Sequence, residues 1–340
     1  MRSHNVNSEI TITSTYTDDV TGISSSVAEA EKAWDELGLQ YEVKDLGESR
    51  LILGIRIDCD RAAGMISLSQ RAYIKRVLAR HGMSDCNLRG TPLPTGIILN
   101  KSQAPTTEED IYFMQDKPYR KVLGAVMYAE ICTRPDISYT IATLSKFMLN
   151  PGPLHWVALM HVLQCLKGTL HYRIMYGGKG FTSLAPVGYV DADYAGDTDT
   201  RRSCAGHVFI QAGGLTAWGT QYQPTVTLST TEAEYMSLTR SAKQVQWMYS
   251  AMDEVGFPQP KPAILKGDNR SANALAKNTK HNSRVKHIDI RHHYVRERVE
   301  EGDIVIEHVP SVDNPADLFT KPLTRAIHHG HCLALHLCED

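Results

Sequence analysis

Ser203-Cys-Ala-Gly-His-Val-Phe-Ile-Gln211, then Gly213-Gly214, then Leu215-Thr-Ala-Trp-Gly-Thr-Gln221: two β-rich runs separated by a diglycine turn. This pattern spells a hairpin, because a tight two-residue turn needs residues that tolerate positive φ. Upstream, Val187 to Asp191 reads as a further strand. Downstream, Ser229 followed by Glu232 three residues on forms a capping box for a long helix that runs to about Glu254, before Gly256. A strand at Ile264 to Asp268, a short helix from Ser271, a basic helix from about Val285 to Glu300, a strand at Ile304 to Val309 and a short helix at Pro315 complete the segment. Hairpins mixed with crossovers predict an α/β unit, a mixed sheet with helices on its faces.

The chain has 340 residues, with Lys+Arg 36 against Asp+Glu 38 and a formal net charge of −2. Hydrophobic residues make up 42% and charged residues 22%, a globular mixture sized for about two or three domains. No apolar run approaches the ~18–20 residues of a membrane helix, so no membrane association is expected. Met1 to Glu9 is polar and lacks the order of a secretory signal, so the seven cysteines are expected in a reducing, intracellular compartment, without disulfides. The tail His328-His329-Gly330-His331-Cys332 to His336 and Cys338 holds soft-metal ligand types, but a loosely docked terminal segment is the simpler reading.

Before the mixed-sheet segment, Ile10 to Val20 reads as a strand running into an acidic turn. Ser24 to Ser26 cap a helix from Val27 to Leu37, and Leu51 to Ile57 reads as a second strand. Ser67 or Ser69 starts a helix stopped by Gly82, whose outer face carries Arg71, Lys75, Arg76 and Arg80, a solvated stripe. Residues 91 to 118, with four prolines, read as a linker, and Tyr119 to Tyr176 as three helices broken at Arg134-Pro135-Asp136 and Asn150-Pro151-Gly152-Pro153. The expected organisation is 1–60, 61–180 and 185–323, followed by a tail over 324–340.

Four carboxylates lie at element ends in the mixed-sheet segment: Asp191, Glu234, Asp268 and Asp317. If the first and fourth strands are neighbours, the two strand-end aspartates meet and the helix residues reach in from one face. Four oxygen donors without His or Cys select a hard ion, Mg²⁺ or Mn²⁺. Two such ions roughly 3.5–4 Å apart would activate water and stabilise a leaving oxygen in phosphodiester cleavage. Spacing alone does not select these four from 38 acidic residues.

Residues 185 to 323 resemble the ribonuclease H domain of copia-type long-terminal-repeat retrotransposon Pol polyproteins. The resemblance lies in Tyr189-Val-Asp-Ala-Asp-Tyr-Ala-Gly-Asp197, Arg201-Arg-Ser203, Leu228-Ser-Thr-Thr-Glu-Ala-Glu-Tyr-Met236, Gly267-Asp-Asn269, Val285-Lys-His-Ile-Asp-Ile-Arg-His-His-Tyr294 and Asn314-Pro-Ala-Asp-Leu-Phe-Thr-Lys-Pro-Leu323. It implies a ribonuclease H-like sheet whose metal-binding and catalytic quartet is Asp191, Glu234, Asp268 and Asp317. Ala233-Glu234-Tyr235 matches the family's catalytic Glu, leaving Glu232 to the cap. Upstream, Tyr16-Thr17-Asp18-Asp19 resembles a reverse-transcriptase active-site turn. Lys44-Asp45-Leu46-Gly47 and Leu53-Gly54-Ile55 resemble the following palm, Gln70 to Gly90 the thumb, and Tyr119 to Tyr176 the connecting helices. The resemblance thus implies a truncated palm and a helical thumb and connection region ahead of the nuclease domain.

The family's polymerase needs a further palm carboxylate upstream of Asp18 and Asp19, so no polymerase activity is expected of this chain alone. Val309-Pro-Ser-Val-Asp-Asn314 lacks the histidine many ribonucleases H carry there, which implies slower product release.

Residues 277 to 298 carry seven Lys/Arg against Asp289 and Glu297, a patch suited to a phosphate backbone. Lys280, Arg284, Lys286 and Arg291 are its candidate contacts, joined by Asn269, Arg270 and Ser271 beside the third aspartate and by Thr230 and Thr231. Trp218 and Trp247 are assigned to core packing. The expected activity is endonucleolytic hydrolysis of the RNA strand of RNA/DNA hybrids, read by shape and 2′-hydroxyls. The alternative is a non-catalytic nucleic-acid-binding remnant. The rest of the Pol polyprotein is a further expected partner, and the resemblance implies a cytoplasmic virus-like particle or the nucleus.

Overall fold

The computed structural model describes residues 2–6, 9–178, 184–277 and 289–337. Strands β1 (Arg2–Val6), β2 (Glu9–Tyr16) and β3 (Asp19–Ser24) form an antiparallel sheet, followed by helix α1 (Val27–Gly38) capped by Ser26. The expected single strand over Ile10 to Val20 is two strands. Thr17, at φ +52°, turns the chain with Asp18, and Tyr16 pairs with Asp19. A small sheet follows from β4 (Leu51–Ile52), β5 (Ile55–Asp60) and β6 (Met65–Ser69). Leu51 to Ile57 is likewise divided, because Leu53 and Gly54 both take positive φ, the geometry of a type I′ turn. Ser67 and Ser69 lie in β6, and helix α2 begins at Arg71 (Arg71–Arg80).

The stretch read as a linker contains a 3-10 turn at Lys101–Gln103, capped by Asn100, and helix α3 (Glu108–Gln115). Thr107 caps α3, and three acids occupy its first turn, where they complement the helix dipole. Helices α4 (Tyr119–Cys132), α5 (Ser138–Ser145) and α6 (Pro153–Gly168) pack with α2 around Val122, Leu123, Leu144, Leu159 and Leu163. The helical character ends at Gly168, and strand β7 (Ile174–Gly177) completes the small sheet in the order β4-β5-β6-β7.

The main sheet takes β8 (Val187–Ala192), β9 (Cys204–Gln211) and β10 (Gly214–Tyr222) as an antiparallel meander. After helix α7 (Thr230–Glu254), β11 (Ala263–Gly267) inserts parallel to β8. Helices α8 (Arg270–Lys277) and α9 (Asp289–Glu300) lead to β12 (Ile304–His308), parallel to β11. The order is β10-β9-β8-β11-β12, a ribonuclease H-like mixed sheet. Its two faces obey the strand alternation: Val190 and Phe209 point to the α7 side with Tyr235, Leu238 and Leu265, while Val208 points to the other.

That other face is closed by a 3-10 turn at Pro315–Phe319 and helix α10 (Arg325–Ala334). Phe319, Leu323, Cys332, Leu335 and Leu337 join Val208, Leu215, Tyr172 and Ile174 in one core. Residues 324–337 are therefore docked, and His328, with Asp136 O 3.2 Å from its Nε2, is a packed histidine. Trp218 is half-buried, with its Nε1 donating to Glu130 O (3.2 Å), whereas Trp247 is 63% exposed and lies outside the core. Among the described residues no helix is long and apolar enough to cross a membrane.

Candidate metal centre and nucleic-acid interface

Register brings the two strand-end aspartates together. Val190 of β8 pairs with Gly267 of β11 in parallel, so Asp191 and Asp268 leave the sheet side by side at its C-terminal edge. At β8 the sheet changes from antiparallel to parallel neighbours, the kind of place where open α/β sheets form sites. Helix α7 lies across β8, where Ser237 Oγ donates to Asp191 O (2.9 Å). In its first turn the two glutamates part. Glu232 turns back to accept from Leu228 N (2.7 Å), while Ser229 Oγ accepts from Glu232 N (3.1 Å); Glu234, buried, reaches the aspartates. One oxygen each from Asp191, Glu234 and Asp268 lie within 4.8 Å of one another.

Asp317 enters from the opposite face on the 3-10 turn. Asn314 anchors that turn: its Nδ2 donates to Val190 O (3.0 Å) and its Oδ1 accepts from Ala316 N (3.2 Å). Asp317 stands beside Asp191 and is paired with Lys321, whose Nζ is 2.7 Å from Asp317 Oδ1 and 3.9 Å from Asp191 Oδ2. Thr320 Oγ1 donates to Asp191 Oδ2, and Ser311 Oγ donates to Asp268. The approach requires Gly206, the β9 partner of Asp191. A Cβ there would lie 2.6 Å from Phe319 Cβ and 2.8 Å from Thr320 Cγ2.

Crowding carboxylates in a buried pocket disfavours their charge. Burial, with Asp191 and Asp268 adding to it, pushes Glu234 up to about 9. Burial also raises Asp191, against the pull of Lys321. Asp193, held by Cys204 N, is pushed up to about 6 by burial. An all-oxygen, anionic set of this kind fits a hard divalent cation, which would neutralise the charge that otherwise forces protonation.

The chain matches the family model of the reverse transcriptase (RNA-dependent DNA polymerase) over residues 2–95. It is 38% identical over 312 residues to the retrovirus-related Pol polyprotein from transposon TNT 1-94 of Nicotiana tabacum, across 91% of this chain and 23% of that protein. It is 33% identical over 310 residues to the retrovirus-related Pol polyprotein from transposon RE2 of Arabidopsis thaliana, across 91% of this chain and 20% of that protein. The chain belongs to the Pol family of copia-type retrotransposons. This copia-type Pol chain spans about a fifth of the length of those relatives. Among solved structures it is similar to ribonuclease H1 of Halobacterium salinarum, 20% identical, covering 40% of this chain and 94% of that one with a TM-score of 0.31.

The remaining expected residues of the copia-type chain are scattered. Asp18 and Asp19 sit exposed at the β2–β3 turn, and among the described residues they join no third carboxylate. Asn269 Oδ1 caps α8 by accepting from Ala272 N (3.0 Å), and exposed Arg270 donates from Nε to His308 Nε2 (3.4 Å). Lys280, Arg284 and Lys286 lie outside the described residues, and Arg291 lies within α9 with its side chain outside them. Sequence reasoning missed Asn314, Thr320, Lys321 and Gly206. The Asn-Pro pair at 314–315 is a turn-initiating signal that marks the first of these; the other three act through partners far away in sequence.

Proposed function

We propose that this copia-type chain hydrolyses the RNA strand of RNA/DNA hybrids at the site formed by Asp191, Glu234, Asp268 and Asp317. The observation that carries this reading is the approach of three carboxylate oxygens within 4.8 Å of one another on the edge where β8 and β11 run parallel. Asp191, Glu234 and Asp268 would hold Mg²⁺ or Mn²⁺, with Asp317 beside Asp191. When bound, such cations supply an activated water and stabilise the leaving oxygen.

The chain's own residues do the rest. Thr320 and Ser311 fix the rotamers of Asp191 and Asp268 through their hydroxyls, so that the carboxylates face one another before substrate arrives. Arg270, exposed two residues after Asp268, would contact a phosphate backbone. Recognition through backbone shape and 2′-hydroxyls implies weak sequence preference.

The test is cleavage of an end-labelled RNA strand in an RNA/DNA duplex with Mg²⁺, comparing the chain with Asp191→Asn and Asp268→Asn. Mg²⁺-dependent cleavage lost in both variants supports the reading. Absence of cleavage by the folded parent chain, with hybrid still shifted in a gel, turns it into a non-catalytic binding protein.

A further inference from the structure

Among the described residues, other buried or half-buried cations pair with carboxylates outside the site: Arg134 with Asp136, Lys146 with Asp197, and Arg298 with Asp303. Lys321 is different. Its ammonium stands against two carboxylates of the site itself, 2.7 Å from Asp317 and 3.9 Å from Asp191, on a side chain that remains partly exposed. The backbone that carries it is fixed independently. Thr320, its neighbour, is hydrogen-bonded to Asp191, and Phe319 is packed against Gly206. The ammonium can therefore move by side-chain rotation alone, while the carboxylates stay in place.

Asp191 is shared by two cation positions. On one side it approaches Glu234 and Asp268; on the other it approaches Asp317 and Lys321. At separations of about 4 Å a unit charge still acts on its neighbour at the effective dielectric of a protein surface, even with a partly exposed lysine. A divalent cation drawn to the first side thus meets an aspartate already partly neutralised, and is repelled by the ammonium behind it. The longer of the two contacts, to Asp191, is the one that yields first.

We propose that Lys321 is a resident counter-ion that competes with the divalent cation for Asp191 and Asp317, and so sets the metal concentration at which the site fills. The inference rests on the metal-site reading above. Lys321 is in this sense a positioning residue: it holds the acids together until metal replaces it.

The experiment is titration of the full chain with Mn²⁺ by calorimetry, in parallel with thermal melts, for the parent, Lys321→Met, Lys321→Arg and Asp191→Asn. The expected result is a lower metal-free Tm for Lys321→Met, with Mn²⁺ bound about tenfold more tightly and a larger Mn²⁺-induced rise in Tm. Lys321→Arg keeps the parent affinity and Asp191→Asn loses binding. Equal or weaker Mn²⁺ affinity in Lys321→Met overturns the counter-ion inference while leaving the metal site standing. Absence of binding to both the parent and Lys321→Met, or unchanged binding to Asp191→Asn, overturns the site reading and this inference with it. If Lys321→Met unfolds without metal, refolding in excess Mn²⁺ supports the proposal, and failure to refold overturns it, since metal could not then stand in for the lysine.

Discussion

Glu232 and Glu234 are two residues apart and do separate work, which makes them separable by mutation. Glu232→Ala removes the acceptor of Leu228 N and is expected to cost about 1 kcal/mol of stability, read from a denaturant melt, with hybrid cleavage preserved. Glu234→Gln leaves the cap intact and is expected to lower cleavage by more than about a hundredfold, with the melt little changed. A reversed pattern would reassign the two. His207, buried in β9, is a second residue with a measurable signature. Burial, with Arg240 adding to it, pushes it down to about 3. Between the unfolded value near 6.5 and that folded value the unfolded chain binds the extra proton. Stability therefore falls as pH drops through this window, by up to about 1.4 kcal/mol per unit. His207→Gln is expected to flatten the dependence of Tm on pH between roughly 6.5 and 4; an unchanged slope would assign it to other groups.

At the scale of elements, the strands bearing Asp191 and Asp268 are legible in the sequence because each is a short apolar run ended by a charged residue. Their adjacency follows from one crossover. The elements that escaped reading share a physical cause. β4 and β5 are divided at Leu53, a residue whose type gives no notice of positive φ. Helix α3 hides among prolines and acids that are turn signals individually but a cap and first turn together. The 3-10 turn at Pro315–Phe319 was legible as a short helix, yet its contact with Gly206 was not, since a glycine in a strand reports close approach without saying of what. Gly206→Ala tests that contact. The added methyl must displace Phe319 and Thr320, with an expected loss of about 1–3 kcal/mol and of cleavage, because Asp317 and Thr320 are drawn away from Asp191. Cleavage at the parent rate would show that the turn need not approach so closely.

Across the whole molecule, stability is unevenly distributed. Helix α1 buries none of its residues, and Tyr16, Ile23, Val27 and Leu39 around it are exposed. Hydrogen exchange is expected to show residues 9–38 opening at low free energy, while α4, α6, β8 and β9 exchange only by global unfolding. Uniform protection would refute this division. The join between the helical region and the main sheet is of the opposite kind. Arg134 and Asp136, both with fully buried side chains, are paired at 2.7 Å, Arg134 also meets Thr169, and His328 of α10 lies against Asp136 O. Arg134→Met strands a buried carboxylate and is expected to cost about 3–5 kcal/mol, seen as one cooperative transition moved to lower denaturant; two separate transitions would show that the regions unfold independently.

The core behind β9 carries a consequence for how the chain is made. It gathers Tyr172, Ile174, Val208, Leu215, Leu318, Phe319 and Leu337, with Leu68 packed against it. About 270 residues separate the first of these from the last, so at ~10 residues per second a ribosome needs roughly half a minute to deliver them all. From the completion of β10 at Tyr222 until Leu337 emerges, roughly the last dozen seconds of that interval, the apolar face of β9 and β10 stands uncovered. The growing chain thus offers that surface to chaperones before its own C-terminal segment can close over it.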